Sequence, residues 1–250
     1  MFHSMKLDFI LFDFLKKTSF NINYLNVSYM SIISQLTKAL PKNSVIFGEE
    51  NTRPFECDGL SVYKQKPLAV ALPSNVDQIK KVLEICKKNN TPVVTRGAGT
   101  GLSGGALPLK DSVVLGLSKL TRVISIDPEA QTAIVEPGVR NIAISEAVEE
   151  YGLYYAPDPS SQIACTIGGN VAENSGGVHC LKYGLTVQNL EAVKILTIDG
   201  EELLLSRQDE GMGLLALMTG SEGLLGVISE ITVKLTKKPQ QAKLIMAGFD

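Results

Sequence analysis

The densest group of residues with chemical potential is a glycine-rich segment, Arg96-Gly-Ala-Gly-Thr-Gly-Leu-Ser-Gly-Gly105, which holds five glycines between positions 97 and 105. Glycine in ordered structure costs about 0.5–1 kcal/mol relative to alanine, so such a cluster indicates that the backbone itself must approach something closely. Consecutive amides without side chains form a concave anion site, and the Thr100 and Ser103 hydroxyls add donors. The segment therefore predicts binding of a pyrophosphate. The alternative, a flexible surface loop, is disfavoured by the strand predicted directly before it.

The same segment formally satisfies the Rossmann dinucleotide fingerprint at Gly99-x-Gly101-x-x-Gly104. A Rossmann loop opens directly into a crossover helix. Here Pro108 follows Gly104 closely and the next strand is predicted from Val113, so no helix fits. An NAD-binding Rossmann enzyme is therefore the weaker interpretation, and a P-loop is excluded because no Gly-Lys-Ser/Thr follows. At Gly101 we expect a β-branched side chain to fill the phosphate space and to resist a positive φ.

A second cluster joins Asp158-Pro-Ser-Ser161 to Thr166-Ile-Gly-Gly-Asn-Val-Ala-Glu-Asn-Ser-Gly-Gly177. Pro159 stiffens the chain and biases Asp158 towards an extended conformation. Thr166 is placed to cap a short helix with Gly168 and Gly169 in its first turn, where free amides can meet a ligand. The alternative is a capped helix that packs tightly through its glycines. Ligand contact is favoured because that alternative leaves Gly176-Gly177 unexplained.

Two further features are weaker. Glu222 lies between glycines in Thr219-Gly-Ser-Glu-Gly223, where it is either a ligand contact or a solvated turn residue. His179 is one of two histidines, the other being His3, and is expected to be a hydrogen-bonded packing residue rather than a metal ligand. The four cysteines are scattered without a CxxC pair, so neither a metal site nor a disulfide framework is predicted.

Composition and charge exclude several classes of protein. The chain has 250 residues, is 44% hydrophobic and 20% charged, and has a net charge of −2 from 24 basic and 26 acidic residues. These values are typical of a globular protein rather than a disordered or fibrous one. No run rich in lysine or arginine suggests a nucleic-acid-binding face.

The elements that position these motifs begin with a β–α–β unit. An apolar run at Leu68–Leu72 predicts a strand, helical spacing from Val76 to Cys86 predicts a helix capped by Ser74 or Asn75, and Pro92–Thr95 predicts a second, parallel strand. An amphipathic helix from Ser31 to Leu40 precedes this unit. The later segments predict one helix, Ile142–Tyr151, and several short strands, two of which form a hairpin at Asp199-Gly200. The predicted strands are Val113–Leu117, Val123–Ile126, Thr132–Val135, Leu190–Ile198, Glu202–Leu205 and Gly226–Leu235. The fold class is α+β, with a mixed sheet in its second part.

The first 29 residues differ from the rest, since they hold seven of the 15 aromatic residues. Asp8 and Asp13 interrupt the apolar core that a signal peptide or a transmembrane helix requires. An early start codon, with Met30 or a neighbour as the true start, is favoured over an amphipathic surface helix at Leu7–Leu15.

Taken together, the motifs resemble the FAD-binding domain of the vanillyl-alcohol-oxidase and p-cresol-methylhydroxylase (PCMH) superfamily, and within it the D subunit of bacterial glycolate oxidases and their D-lactate dehydrogenase relatives. The resemblance runs from about Leu40 to the last residue. It implies a two-lobed, PCMH-type FAD domain over residues 62–239, after a helical segment at 30–61. The segments that carry it are 92–108, 154–165, 168–184 and Thr219–Gly223.

The resemblance also implies FAD as the cofactor, lying extended between the lobes. The glycine loop has no histidine, to which many relatives tether the flavin covalently, so FAD should be non-covalent. Ile228 would meet adenine and Glu222 and Gly223 would lie near the far end of FAD. The full set of expected FAD-binding residues is Arg96, Gly97, Ala98, Gly99, Thr100, Gly101, Ser103, Gly104, Pro159, Ser160, Thr166, Gly168, Gly169, Asn170, Asn174, Gly176, Glu222, Gly223 and Ile228.

The resemblance implies a flavin-dependent 2-hydroxy-acid dehydrogenase that oxidises glycolate or D-lactate and passes hydride to flavin N5. Family members continue into a substrate domain with a His-Ala-Gly-Asp-Gly-Asn motif, which this sequence does not contain. We therefore expect residues 240–250 to begin a truncated substrate domain, with Lys243–Phe249 as its first strand. The alternative is a catalytically inactive FAD-binding module. The catalytic residues cannot be assigned from this chain.

Partners follow from the same resemblance. They comprise the 2-hydroxy acid, a second flavin-type subunit and an iron–sulfur subunit of a glycolate oxidase complex. The expected location is the cytoplasm, peripheral to the inner membrane through those subunits, without a membrane span or a nucleic-acid partner.

Overall fold

The computed structural model describes residues 31–209, 213–241 and 243–248, so the expectations for the first 29 residues lie outside it. Two sheets form two lobes, each with its own apolar core. Leu196 and Val227 come from the second sheet but pack in the core of the first lobe. The lobes are therefore joined by shared packing, and the space between them can serve as a site.

The first lobe is built on a four-stranded sheet in the order β1-β2-β4-β3. β2 and β3 both run parallel to β4, which lies between them, and β1 pairs antiparallel with β2. The predicted parallel β–α–β unit is thus confirmed, with a third strand inserted into it. Its elements are α1 (31–39), β1 (Val45–Phe47), α2 (Glu49–Thr52), a 3₁₀ turn (Arg53–Phe55), β2 (Ala69–Ala71), α3 (Val76–Lys88), β3 (Val93–Arg96) and β4 (Val113–Gly116).

Helix α3 shows why this unit forms. The Asn75 side chain accepts a hydrogen bond from the Gln78 amide and caps the first turn, as one of the two predicted caps. At the other end Lys87 and Lys88 favour the negative end of the helix dipole. Its buried residues recur at helical spacing and pack on the sheet: Ile79, Val82, Leu83 and Cys86.

The second lobe is a five-stranded sheet in the order β5-β6-β10-β8-β9. Helices α4 and α5 cover it and contribute Ile144, Ile167 and Val171 to its core. The elements are β5 (Val123–Asp127), β6 (Thr132–Val135), α4 (Asn141–Ala147), β7 (Leu153–Tyr154), α5 (Ile167–Glu173), α6 (Cys180–Tyr183), β8 (Leu190–Leu196), β9 (Glu202–Ser206), α7 (Leu214–Met218), β10 (Val227–Lys234) and β11 (Thr236–Lys237), with 3₁₀ turns at Glu149–Tyr151 and Thr186–Asn189.

The α+β class is confirmed, but the mixed sheet belongs to the first lobe. All pairings in the second sheet are antiparallel. β5–β6 and β8–β9 are hairpins, and β10 enters between them running opposite to both neighbours. Local sequence could not reveal this, because β10 joins the sheet from a distant part of the chain.

Three smaller expectations also differ from the structure. The helix expected at Ile142–Tyr151 ends at Ala147 and continues as a 3₁₀ turn, which stops at Gly152 with φ of 65°. The β8–β9 hairpin uses the longer connection 197–201, in which the Gly200 amide donates to the Thr197 carbonyl. Residues 243–248 form no strand, since no neighbouring strand within the described residues pairs with them.

Candidate functional site

A cavity of about 240 Å³ brings together three segments that are distant in sequence. They are the glycine-rich loop after β3, the start of α5, and the turn before β10. Of the expected FAD-binding residues, the cavity is lined by Arg96, Gly97, Ala98, Gly99, Thr100, Gly101, Thr166, Gly168, Gly169, Asn170, Glu222, Gly223 and Ile228.

The glycine-rich loop presents free backbone donors to this cavity. Within the described residues, no protein group accepts a hydrogen bond from the backbone N–H groups of Gly97 through Leu102. Four of these six residues are half-buried, where backbone amides are usually paired in folded proteins, so the run can donate to acceptor atoms that a ligand brings. No helix follows the loop, as the sequence predicted. The loop therefore offers free donors that suit an anion, and it lacks the crossover helix of a Rossmann loop.

The glycines of this loop are required for two different reasons. Gly99 has a φ of 72°, and a side chain there would collide with the Arg96 guanidinium. A Cβ at Gly97 would collide with the Thr166 hydroxyl, so this glycine lets the loop close on α5. Gly101 does not have a positive φ, contrary to expectation. A Cβ added at this position would lie 3.0 Å from Glu173 Oε1. The strained position is Gly99 because the chain turns there over Arg96.

Arg96 supplies the positive charge of the site and is the basic side chain among those that line the cavity. Its Nη1 donates to the Cys57 carbonyl at 2.8 Å, and the guanidinium lies 5.7 Å from the centre of the Phe55 ring. Burial lowers the pKa of Arg96, while the nearby Asp58 carboxylate and Cys57 oppose that shift. A half-buried cation behind unpaired amides favours an anionic ligand.

The start of α5 forms the opposite wall. Thr166 Oγ1 accepts from the Gly169 amide at 3.4 Å and so caps the helix as predicted. A Cβ at Gly168 would lie 2.6 Å from Pro137, which explains this glycine by close packing. Asn170 is buried and donates to Asn141 Oδ1 at 2.9 Å, so its side-chain amide also ties the wall to its surroundings.

The turn before β10 is fixed on the end of α5. The amides of Gly220 and Glu222 donate to the Val171 and Ala172 carbonyls, each at 2.8 Å. Glu222 has a φ of 53°, which is uncommon for a residue with a side chain. Strain of this kind persists where the surroundings impose it and is frequent at ligand sites. The turn therefore holds Glu222 at the cavity wall.

Six of the expected residues lie outside the cavity lining. Ser103 donates to Glu173 at 2.8 Å, and Asn174 accepts from the Val187 amide at 3.1 Å, so both side chains already have partners. A Cβ at Gly176 would collide with Cys180 Sγ, which indicates a packing role. The remaining three are Gly104, Pro159 and Ser160.

Several lining residues were missed by the sequence analysis. Ala172 and Glu173 lie three and four positions after Gly169 on α5, a helical spacing that gave a usable signal. Asp58 gave none, because it lies far from the motifs in sequence. The missed lining residues are Asp58, Thr95, Leu102, Gly105, Ala106, Leu117, Pro137, Ser161, Cys165, Ala172, Glu173, Ser175 and Gly226.

His179 is hydrogen-bonded, as the sequence suggested, but it is not a packing residue, because its side chain is 51% exposed. Its Nδ1 lies 2.9 Å from Asp158 Oδ2, and its backbone amide donates to Asp158 Oδ1 at 3.1 Å. This pair ties the segment after α5 to Asp158. Within the described ranges, no group of three or more histidine, cysteine or acidic side chains is placed to hold a metal ion. None of the helices in that part of the chain is long and apolar enough to cross a membrane.

Comparison with known proteins identifies this architecture. The family model described as FAD binding domain matches residues 67–206. The glycolate oxidase subunit GlcD of Escherichia coli (strain K12) is 53% identical over 228 residues, which cover 90% of this chain and 46% of that protein. GlcD of Bacillus subtilis (strain 168) is 39% identical over 78% of this chain and 43% of its own length. The D-lactate dehydrogenase of Anaerostipes hadrus is 34% identical over 88% of this chain and 47% of its own length.

The chain thus spans about half the length of the curated relatives it matches. Among solved structures, an alkyldihydroxyacetonephosphate synthase superposes with a TM-score of 0.75 at 22% identity, covering 84% of this chain and 41% of that one. This likeness confirms the two-lobed α+β fold. With a matching family model over more than half of its residues, the chain belongs to the FAD binding domain family.

Proposed function

We propose that the cavity binds FAD, with the pyrophosphate on the unpaired amides from Gly97 to Leu102. The observation that carries this proposal is the run of free donors in front of the Arg96 guanidinium. Amides without side chains accommodate phosphate oxygens at close range, and a half-buried cation compensates their charge. The residues present therefore fit an anionic dinucleotide.

The two remaining walls of the cavity would each bind a different part of FAD. We assign the flavin and ribityl part to the α5 wall around Thr166, Gly169 and Asn170, and the adenosine end to Glu222, Gly223 and Ile228. Carboxylates such as Glu222 are suited to accept hydrogen bonds from sugar hydroxyls. The six expected residues outside the lining would act through the shape of these walls.

FAD in this site would be bound without a covalent link, because the loop offers no histidine and its side chains are threonine, serine, alanine and leucine. Precipitating the purified, flavin-loaded chain with acid should release the yellow colour to the supernatant. Colour that stays in the pellet would contradict non-covalent binding.

We further propose that the whole protein is a flavin-dependent 2-hydroxy-acid dehydrogenase acting on glycolate or D-lactate. Support comes from relatives named glycolate oxidase subunit and D-lactate dehydrogenase. When bound, FAD supplies the hydride acceptor, and the protein supplies binding and orientation. In this chain the walls described above hold the cofactor. Oxidation also needs a base near the 2-hydroxyl and fixed partners for the carboxylate.

Two preparations test this assignment. The 250-residue chain should bind FAD but fail to bleach its visible bands on addition of glycolate or D-lactate under anaerobic conditions. A version extended to the length of its relatives should show bleaching. Bleaching by the 250-residue chain that is lost on replacing His179 would make that residue the base. A chain that binds no FAD would overturn the cofactor assignment itself.

The finer assignment of partners is part of the same proposal. A second flavin-type subunit and an iron–sulfur subunit would pass the electrons on, and contact with the inner membrane would be peripheral through them. Co-purification of the extended protein with two such subunits, and its release from membranes by salt, would support this arrangement. Tight retention after salt would contradict it.

A further inference from the structure

The glycine-rich loop is supported on one side by residues 53–60, the N-terminal brace. The brace lies before residue 67, where the match to the FAD binding domain begins. A Cβ at Gly59 would lie 2.7 Å from the Gly101 carbonyl and 2.9 Å from that of Thr100. The brace and the loop are therefore in direct backbone contact, and only a glycine permits it.

Arg96 connects the two segments. Its Nη1 bonds to the Cys57 carbonyl of the brace, and its guanidinium lies beneath Gly99 of the loop. Phe55 of the brace packs against the same guanidinium. The position of the charge behind the anion site thus depends on the brace as well as on β3.

Asp58 is the acidic residue of this arrangement, and it is only 7% exposed. Its Oδ1 accepts from the Leu60 amide at 2.8 Å, which fixes the turn that presents the Cys57 carbonyl to Arg96. Its Oδ2 is buried and has no hydrogen-bond partner, and the residue lines the cavity together with Arg96. A buried carboxylate oxygen without a partner is costly, so its retention here indicates an electrostatic role.

We propose that the N-terminal brace is a working part of the cofactor site, and that Asp58 is a positioning residue that holds the Arg96 guanidinium behind the glycine-rich loop. The carboxylate does this in two ways, by fixing the turn that carries Cys57 and by providing countercharge to Arg96. This inference rests on the proposed binding of FAD in the cavity. It predicts that the brace controls recognition of the phosphates and not of the flavin ring.

The test compares ligands with and without phosphate. Replacing Asp58→Ala should weaken the binding of FAD and of ADP by about tenfold, the loss expected when a charged hydrogen-bonding group is mispositioned. Binding of riboflavin, followed by its fluorescence, should change less than about twofold, a scale set by ordinary surface changes. Asp58→Asn keeps an oxygen for the Leu60 amide and should fall between wild type and Asp58→Ala. Asp77→Ala, an exposed acidic residue on α3, is the matched control and should leave all three affinities unchanged.

A double-mutant cycle with Arg96→Gln separates positioning from general damage. In the Arg96→Gln background, Asp58→Ala should cause no further loss of FAD affinity, because its effect runs through the guanidinium. If Asp58 variants fold poorly, Gly59→Ala provides a second route, since it lifts the brace off the loop and should show the same selective loss of ADP over riboflavin.

Three outcomes would overturn the inference: unchanged FAD affinity in Asp58→Ala, an equal loss of riboflavin affinity, or additive losses in the cycle. Failure of the wild-type chain to bind FAD would instead overturn the proposed function. The two failures are thus distinguishable.

Discussion

Two regions look alike in sequence because both are rich in glycine, but the structure requires the glycines of each region for a different reason. In the first region, residues 96–105, the backbone amides of Gly97 through Leu102 have no protein partner among the described residues, and these residues line the cavity. In the second region, residues 174–184, the Gly177 amide donates to Cys180 Sγ, and a Cβ at Gly177 would collide with Asp158. The first region uses glycine to keep its backbone amides free at the cavity. The second uses it to bring protein segments together.

The largest expected effect is in the first region. Gly99→Val places a β-branched residue at a φ of 72° and displaces Arg96, so FAD binding should weaken by about a hundredfold. Isothermal titration calorimetry with FAD measures it. Gly152→Val is the matched control, since Gly152 has a φ of 65° with open space around it and lies away from the cavity. If the two variants had equal FAD affinities, the loss in Gly99→Val would come from backbone strain in general and not from damage to the cavity.

In the second region the effect should fall on stability. Gly177→Ala forces a methyl group against the Asp158 backbone and should lower the free energy of unfolding by about 1–3 kcal/mol, as overpacking does. Urea unfolding followed by circular dichroism measures this loss. The folded fraction should keep its FAD affinity. A selective loss of affinity without loss of stability would place the second region in contact with the ligand and erase the contrast.

Thr166 should affect both stability and FAD binding, because it caps α5 and also touches Gly97 of the first region. Thr166→Val removes the capping oxygen and should lower stability by about 1 kcal/mol. FAD affinity should fall only a few-fold, because the loop amides remain. Thr166→Ser keeps the hydroxyl and should restore the stability. The cap would be irrelevant if the serine and valine variants unfolded at the same urea concentration.

The smallest effect concerns the outer side of the second region. Hydrogen bonding to Tyr154 and to Lys182 lowers the pKa of Tyr183, while burial and the bond to Tyr183 raise the pKa of Tyr154 to about 12. As pH rises, Tyr183 should therefore lose its proton first. In Tyr183→Phe this early step should vanish from the ultraviolet titration of the flavin-free protein, with no change in FAD affinity. An unaltered titration would show that another tyrosine causes the early step.

Much of the fold could be predicted from local patterns. Helix α3, its Asn75 cap and the strands on either side follow from spacing and capping chemistry. The Thr166 cap was likewise visible, because a threonine hydroxyl is a favoured N-cap acceptor and the free amides of Gly168 and Gly169 follow it directly. The order of strands in the second sheet was not, since β10 pairs with β6 and β8 across long stretches of chain.

The site likewise has residues that the sequence predicts and residues that only the fold reveals. Residues near the glycine motifs were predicted because the motif itself requires free amides. Asn174 and Ser103 were expected at the ligand, but each side chain bonds to another part of the protein, a choice that depends on distant neighbours. Asp58 was missed for the converse reason, since only folding brings it to the cavity that Arg96 also lines.

The sequence by itself determined that this chain has a glycine-rich anion loop between a strand and a segment unable to form a helix. That follows from local physics: glycine frees the backbone, and Pro108 with the strand beyond it leaves no room for a crossover helix. Only the tertiary structure decided which amides remain unpaired, which glycines serve packing, and which residues stand behind Arg96. These depend on contacts between segments such as 53–60, 96–101 and 166–173, whose separation in the chain hides their proximity in space.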